Sequence, residues 1–358
     1  MLKLTAILLL SLSSFTLLAQ GITSPRVPSP AATVSQTIGI STVTIKYSRP
    51  SVKGREVWGA LVPYGWNMQP GFGLEKSAPW RAGANENTVI TFSHDAKVEG
   101  KAVPAGSYGL FFVINKDNTG EVILSKDYRS WGSFFYDEKN DLLRAKIQLK
   151  DIPATELLTY DFINMTKTSA DMVLMWEKKE FPVKIEYDVD NIVMANAEEE
   201  LKSSTGFTYI GFLTAARYSL QNKVNYEEGI KWADQAIAIN KSFNTMNVKA
   251  DLLRASGKAD EAEKVMNDAV PMANENELNL YAYQLLNNKE NDKAIKAFIL
   301  NTQRNPKSAN VWDSLGEGYA LTGDKKNAIA NFKKSLSMNP PAAVKANSEK
   351  YLKQLGAM

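Results

Sequence analysis

Three arginines and three tryptophans crowd into one connection of this chain. Between Ser48 and Thr88 it reads SRPSVKGREVWGALVPYGWNMQPGFGLEKSAPWRAGANENT. Arg49, Arg55 and Arg81 each carry a planar fork of donors suited to a carboxylate or phosphate. Trp58, Trp66 and Trp80 each offer a flat apolar face and a single N–H donor, suited to a sugar ring or an aromatic side chain. With Glu86 and Trp131 these form the candidate ligand-binding set. The same residues also have structural uses, the indoles as core and end-plug, the guanidinia as partners of Glu56, Glu86 and backbone carbonyls. A connection this long is uncommon in a compact domain unless it is functional or disordered, and disordered segments do not use tryptophan this way. It is therefore expected to be an ordered platform at one end of a β domain.

Other chemistry is sparse. The 358 residues include no cysteine and one histidine, which excludes thiol nucleophiles, disulfides and Cys/His zinc sites. His94 lies beside Asp95, but no G-x-S-x-G elbow accompanies them. Asp137, Glu138, Asn140 and Asp141 cluster in one turn without the spacing of a calcium loop. No catalytic residue, metal or cofactor is assigned. The formal net charge of +3 is too small to indicate nucleic acid.

These residues need elements to position them. Lys3, the apolar run Leu4 to Leu18 and the Leu17-Leu18-Ala19 site before Gln20 read as a signal peptide. The run is shorter than the roughly 20 apolar residues of a membrane span and is broken by Ser11, Ser13, Ser14 and Thr16. No cysteine follows it to carry a lipid anchor. An exported chain, periplasmic or secreted, with no integral span after cleavage is the expectation, and zero cysteines suit an oxidising compartment. An extended leader covers 20–32. Short period-two runs with turn residues between them then fill 33–187, pointing to an antiparallel β-sandwich or barrel-like domain. Residues 188–205 read as a helical bridge.

From Gly206 the pattern turns helical and repeats. Ala294, Phe298 and Pro306 recur 34 positions later as Ala328, Phe332 and Pro340. Trp312, Leu315, Gly316, Tyr319, Ala328, Phe332 and Pro340 fit W-x2-L-G-x2-Y, A-x3-F and P, so 206–342 resembles about four tetratricopeptide repeats, an α-helical solenoid. Residues 343–358 follow as a capping helix. The resemblance implies a groove lined by first helices. It places Asn244, Asn247, Asp251 and Arg254 there in the second unit, Asn276, Asn279 and Tyr283 in the third, and Asn310, Asp313 and Glu317 in the fourth. Arg254 is nearly the only cation, so a neutral or basic extended protein segment is the expected partner.

The β half carries its own resemblance. YSRPSVKGREVWGALVPYG, WRAGANENT, VEGKAVPAGSYGLF and WGSFFYDEKNDLLRAKI are similar to the Domain of Unknown Function 2911 family, which occurs in exported proteins, chiefly of Bacteroidetes, sometimes ahead of tetratricopeptide repeats. The family has no established activity, and the run Trp66 to Pro79 is longer than its usual link. The reading is an exported, non-enzymatic interaction protein with a partner groove and a Trp/Arg ligand loop. The alternative is an envelope glycan-binding module or hydrolase working through that loop. On either reading the mature protein begins near Gln20 and fractionates outside the cytoplasm. N-terminal sequencing of the fractionated protein checks this, and an intact Met1 in the cytoplasm would overturn it.

Overall fold

The computed structural model describes residues 28–68 and 77–358. The expected signal peptide, most of the leader and the middle of the Trp66–Pro79 link lie outside the described residues. The chain forms two compact units that divide between Val189 and Asp190.

Among the described residues the first unit has twelve strands. They are β1 (Ala31–Ile38), β2 (Ser41–Ser48), β3 (Asn67–Met68), β4 (Ser77–Ala78), β5 (Val89–Phe92), β6 (Ala96–Val98), β7 (Lys101–Val103), β8 (Gly106–Ile114), β9 (Thr119–Ser125), β10 (Asp141–Gln148), β11 (Lys150–Ile163) and β12 (Ser169–Tyr187). Every ladder between them is antiparallel. One sheet has the order β1-β2-β5-β8-β9-β10 and a second β11-β12-β6-β7, while β3 pairs with β4 alone.

Alternation along the strands separates two apolar layers. From β8, Phe112 meets Phe181 of β12 at 5.2 Å, and from β2, Tyr47 meets Tyr160 of β11 at 4.7 Å, so these faces of the two sheets pack together. Phe111, Val113 and Ile123 lie on the opposite face and are covered by Ala78, Tyr136 and Trp66. β8 is thus buried on both sides, which explains why SYGLFFVI reads as a nearly continuous apolar run.

The Trp/Arg connection is woven into this frame. Past β2, Pro50 and Val52 exchange backbone hydrogen bonds with Leu158 and Glu156 of β11. Trp80 donates to and accepts from Phe112 at 2.9 Å each way, and Leu110 donates to Thr88, so the returning chain continues along the edge of β8 that β5 occupies further on. Trp58, Trp80 and Trp176 converge with Phe181: Trp58 sits edge-on to both other indoles at 5.8 Å, and Trp80 stacks on Trp176 at 5.9 Å and 15°.

The second unit contains ten helices. They are α1 (Val189–Glu200), α2 (Tyr209–Asn222), α3 (Tyr226–Ile239), α4 (Phe243–Ala255), α5 (Ala259–Ala269), α6 (Glu275–Asn287), α7 (Asn291–Arg304), α8 (Ala309–Leu321), α9 (Lys325–Leu336) and α10 (Ala342–Gln354). Capping boxes open α4, from Ser242 to Thr245, and α6, from Asn274 to Glu277. From α2 to α9 the helices pack as consecutive pairs, and the first helices of neighbouring pairs also meet, α2 on α4 and α6 on α8. Small residues set the spacing. A Cβ on Gly316 would stand 2.9 Å from the fully buried Phe332 ring, and one on Gly318 would stand 2.9 Å from Phe298. Trp312 is half-buried and donates to Pro306 O at 3.1 Å.

Trp176 is 1% exposed at the centre of the aromatic cluster. Trp176→Ala should cost ~3–5 kcal/mol, the range for deleting a buried large aromatic. Denaturant unfolding followed by the β-type circular-dichroism signal measures this, and a loss under about 1 kcal/mol would show that the cluster is not core.

Candidate functional site

The segment Trp80 to Thr88 is held in one conformation by its backbone. Ala82 is fully buried with φ 54°, and Asn85 has φ 63°, both in the left-handed region that L-residues enter at a cost. The Ala82 carbonyl accepts from Tyr160 Oη at 2.9 Å and from Thr88 Oγ1 at 3.0 Å. At Gly83 a Cβ would lie 2.7 Å from Thr88 Oγ1, so no side chain fits. Asn85 Nδ2 donates to Ser29 O and Asn87 Nδ2 to Asp127 O, both at 3.3 Å.

Arg81 leaves this segment along a fixed path. One Nη donates to Asn85 O at 2.5 Å, and the guanidinium carbon lies 5.1 Å from the Phe134 ring centre. Gly132 has φ 60°, and a Cβ there would come within 2.4 Å of that carbon, so the guanidinium rests against bare backbone. Ser133 pins the same turn by donating to Pro79 O at 2.6 Å. Among the described residues no carboxylate pairs with Arg81. Burial pulls its pKa below the usual arginine range.

Beside Arg81 opens a cavity of about 500 Å³. Trp80 and Trp176 form apolar wall, Asn67, Asn85 and Ser133 contribute polar groups, and Lys53 and Arg55 join Arg81 as cations. Its described lining holds three cations and no carboxylate or histidine. The structure thus brings Arg55, Trp80 and Arg81 of the candidate set to one cavity. Arg55 also braces the loop through the carbonyls of Ser51 and Val52.

The other candidates sit elsewhere. Arg49 donates to Leu158 O at 2.9 Å and Thr159 Oγ1 at 2.6 Å, tying the loop to β11. Trp58 is 9% exposed inside the aromatic cluster, and its indole nitrogen, like that of Trp176, is buried without an acceptor. Trp66 packs under Arg144 at 4.8 Å and beside Tyr136. Trp131 is exposed, and Glu86 is half-buried with a partner of its own. His94 meets Ser93 Oγ, while the Asp95 carboxylate accepts from the Ala105 N–H. In the acidic turn Asp141 accepts from Tyr136 and Arg144, both at 2.6 Å, and Asp137 caps Lys139. Sequence reasoning missed Trp176, Lys53 and Ser133. No local signal on β12 or near residue 133 ties either to a loop so far along the chain.

In the helical unit the expected groove residues form polar ladders. Asn244 accepts from Arg217, and Asp251 accepts from Asn247, Arg254 and Gln284. Glu317 accepts from Tyr283 at 3.1 Å, Tyr351 at 3.0 Å and Asn347 at 3.2 Å. Asp313 accepts from Asn347 and Ser348. Tyr283, Glu317 and Tyr351 are spaced by 34, so α10 places Tyr351 where a further first helix would. Asn276 is exposed, Asn310 half-buried, and the Oδ1 atoms of Asn247 and Asn279 are buried without a donor. Burial, then hydrogen bonding to Glu317, pushes the Tyr351 phenol up to about 12.

The fold and these sites define a two-domain protein, an antiparallel β domain followed by tetratricopeptide helices. Residues 29–185 match the model of the family described as Protein of unknown function (DUF2911), and residues 309–341 match a tetratricopeptide repeat. The repeats make the helical half a protein-interaction scaffold. No curated protein matches the chain. Among solved structures it is similar to YrrB, a TPR protein with an unusual peptide-binding site, at 16% identity over 45% of this chain and 84% of that one, TM-score 0.30. It is similar to Pseudomonas aeruginosa PilF at 19% identity over 42% and 71%, TM-score 0.30, and to MamA at 15% over 42% and 89%, TM-score 0.31.

Asp313 is 5% exposed, and its pKa is raised above 3.8, chiefly by burial. The folded state therefore holds this proton at pH values where the unfolded chain has released it. Its contribution to stability is present below the unfolded pKa and is lost as pH rises through the folded one. Relative to Asp313→Asn, the wild type should lose stability on going from pH 4 to neutrality, read from denaturant unfolding of the helical signal in the full chain. A difference that is flat or of opposite slope would contradict the assignment.

Proposed function

We propose that this is an exported, non-enzymatic interaction protein. Its tetratricopeptide helices hold a neutral or basic extended protein segment, and its β domain takes a separate small ligand in the cavity beside Arg81. Export is supported by the apolar N-terminal run with its small-residue site and by the absence of cysteine. The ligand role is supported by the pinned loop and by a described lining that offers donors and an aromatic face.

The observation that carries the partner's chemistry is the pair Asp313 and Glu317. They stand one turn apart on α8, are satisfied by hydroxyl and amide donors, and have no cation in ion-pair contact among the described residues. Neutral donors stabilise carboxylates without cancelling their charge, so the first-helix face keeps a local negative potential. A lysine or arginine on an extended segment gains from that field, whereas an acidic segment is repelled.

Fluorescence anisotropy of the full chain with labelled unstructured nonapeptides at low salt tests this. Lysine-bearing peptides should bind tightest and acidic ones weakest. Glu317→Gln should reduce the lysine preference about three- to tenfold, or ~0.6–1.4 kcal/mol. Preference for acidic peptides, or binding indifferent to the substitution, would overturn the reading.

A further inference from the structure

We infer that the cavity beside Arg81 is an oxyanion-binding site for a small organic acid, a carboxylate or phosphate group carried on a ring-sized body. The inference rests on reading that cavity as a ligand site and adds the ligand's chemical class.

The argument begins with how the described arginines of the β domain are used. Arg49 spends its donors on a carbonyl and a hydroxyl of β11, and Arg55 on carbonyls of its own loop. Arg144 sits on Asp141 and Glu138. Arg129 and Arg81 each have a single hydrogen bond, to Tyr128 Oη and Asn85 O, but Arg129 is exposed and Arg81 is partly buried. A guanidinium has five N–H donors in a rigid plane. Withdrawing it from water without a counter-charge is unfavourable unless an anion arrives to complete it.

The surroundings hold that guanidinium still. Phe134 faces it, Gly132 leaves room for it, and Asn85 O fixes one end, so little side-chain freedom remains to be lost on binding. The segment that carries it is locked through Ala82 by Tyr160 and Thr88. Left-handed conformations at two non-glycine residues in four positions are strain of the sort that persists where geometry matters.

Charge and size agree. Lys53 and Arg55 share the lining with Arg81; the described lining holds no carboxylate, and Glu156, which accepts from the Lys53 N–H at 2.9 Å, lies outside it, so the three cations favour anions. About 500 Å³ lies within the range of small-molecule sites. The Trp80 wall, backed by the buried Trp176 stacked on it, is suited to a sugar or aromatic ring, and Asn67 and Ser133 can meet its hydroxyls. Carboxylate and phosphate both fit the guanidinium fork, so the two sources are separated by experiment.

Isothermal titration of the full chain would use galacturonate, benzoate, glucose 6-phosphate and inorganic phosphate, with glucose and benzyl alcohol as neutral counterparts. At least one ring-bearing anion should bind at millimolar or tighter affinity, at least tenfold better than its neutral counterpart, with affinity falling as salt rises. Arg81→Gln should abolish that preference while thermal unfolding stays within a few degrees of wild type. Gly132→Ala keeps the charge but displaces it, and should also weaken binding at least tenfold. Arg81→Lys should retain part of the affinity, since the charge stays but the fork is lost. If Arg81→Gln fails to fold, the Lys and Gly132 variants carry the test. Binding of neutral counterparts as tight as that of the anions would keep the cavity as a ligand site and sink the anion assignment. Anion binding unchanged by all three variants would also overturn it, and no binding by any probe would overturn both.

Discussion

The carbonyl oxygen of Ala82 is the point on which the β domain's distinctive surface depends. Two hydroxyls converge on it, Thr88 from the returning loop and Tyr160 from β11. A fully buried carbonyl without such partners would carry a desolvation penalty of order 1–3 kcal/mol. With them, the local strain of a left-handed alanine is offset and the chain reverses on a short, fixed path. Tyr160 is itself set by the other sheet, lying edge-on to Tyr47 at 4.7 Å and donating its backbone N–H to Tyr47 Oη at 3.2 Å. The loop's shape is thus a consequence of how the two sheets pack, and Arg81 inherits its position from that packing.

The same connection shows why a tryptophan-rich stretch resists assignment from sequence. Trp58 and Trp80 lie in one loop with similar neighbours, yet one is core and the other forms cavity wall. What divides them is Trp176, over ninety residues away, which takes the edge of one and the face of the other. Arg49 and Arg81 divide in the same manner, by whether a β11 carbonyl or an open cavity lies in front of the fork. Residue type and spacing announced the chemistry available. The tertiary partner decided which side chains were left to use it.

Much of the architecture was legible because periodicity is a local property. The antiparallel β class, the helical half and its 34-residue repeat followed from period-two runs and from Trp312, Gly316, Ala328 and Phe332. Where legibility failed, the reason is physical. β1 alternates exposed and half-buried residues at a sheet edge, so AATVSQTI carries little apolar signal. β12 runs unbroken through Glu177-Lys178-Lys179-Glu180, whose four charges interrupt the apolar alternation; a left-handed Glu177 and register shifts opposite it on β11 bend one strand instead of ending it. The lysine-rich α10 reads as a polar cap, while Tyr351 and Asn347 lie at repeat positions and complete Glu317.

That completion bears on what kind of surface the helices offer. A repeat array could satisfy Asp313 and Glu317 with lysine or arginine at Asn347 or Tyr351, on α10, one repeat along. It uses an amide and a phenol instead, and where a cation does occur, at Arg254, it is already paired with Asp251. Neutral donors fix the carboxylates' geometry and leave their charge in the field, whereas an internal ion pair would have fixed the geometry and removed it. The β domain makes the opposite choice with the same logic: Arg81 is oriented by a carbonyl, an aromatic face and a glycine, none of which carries charge. In both units a formal charge is held in place by groups that do not neutralise it, and such a charge keeps its pull on a partner that has yet to arrive.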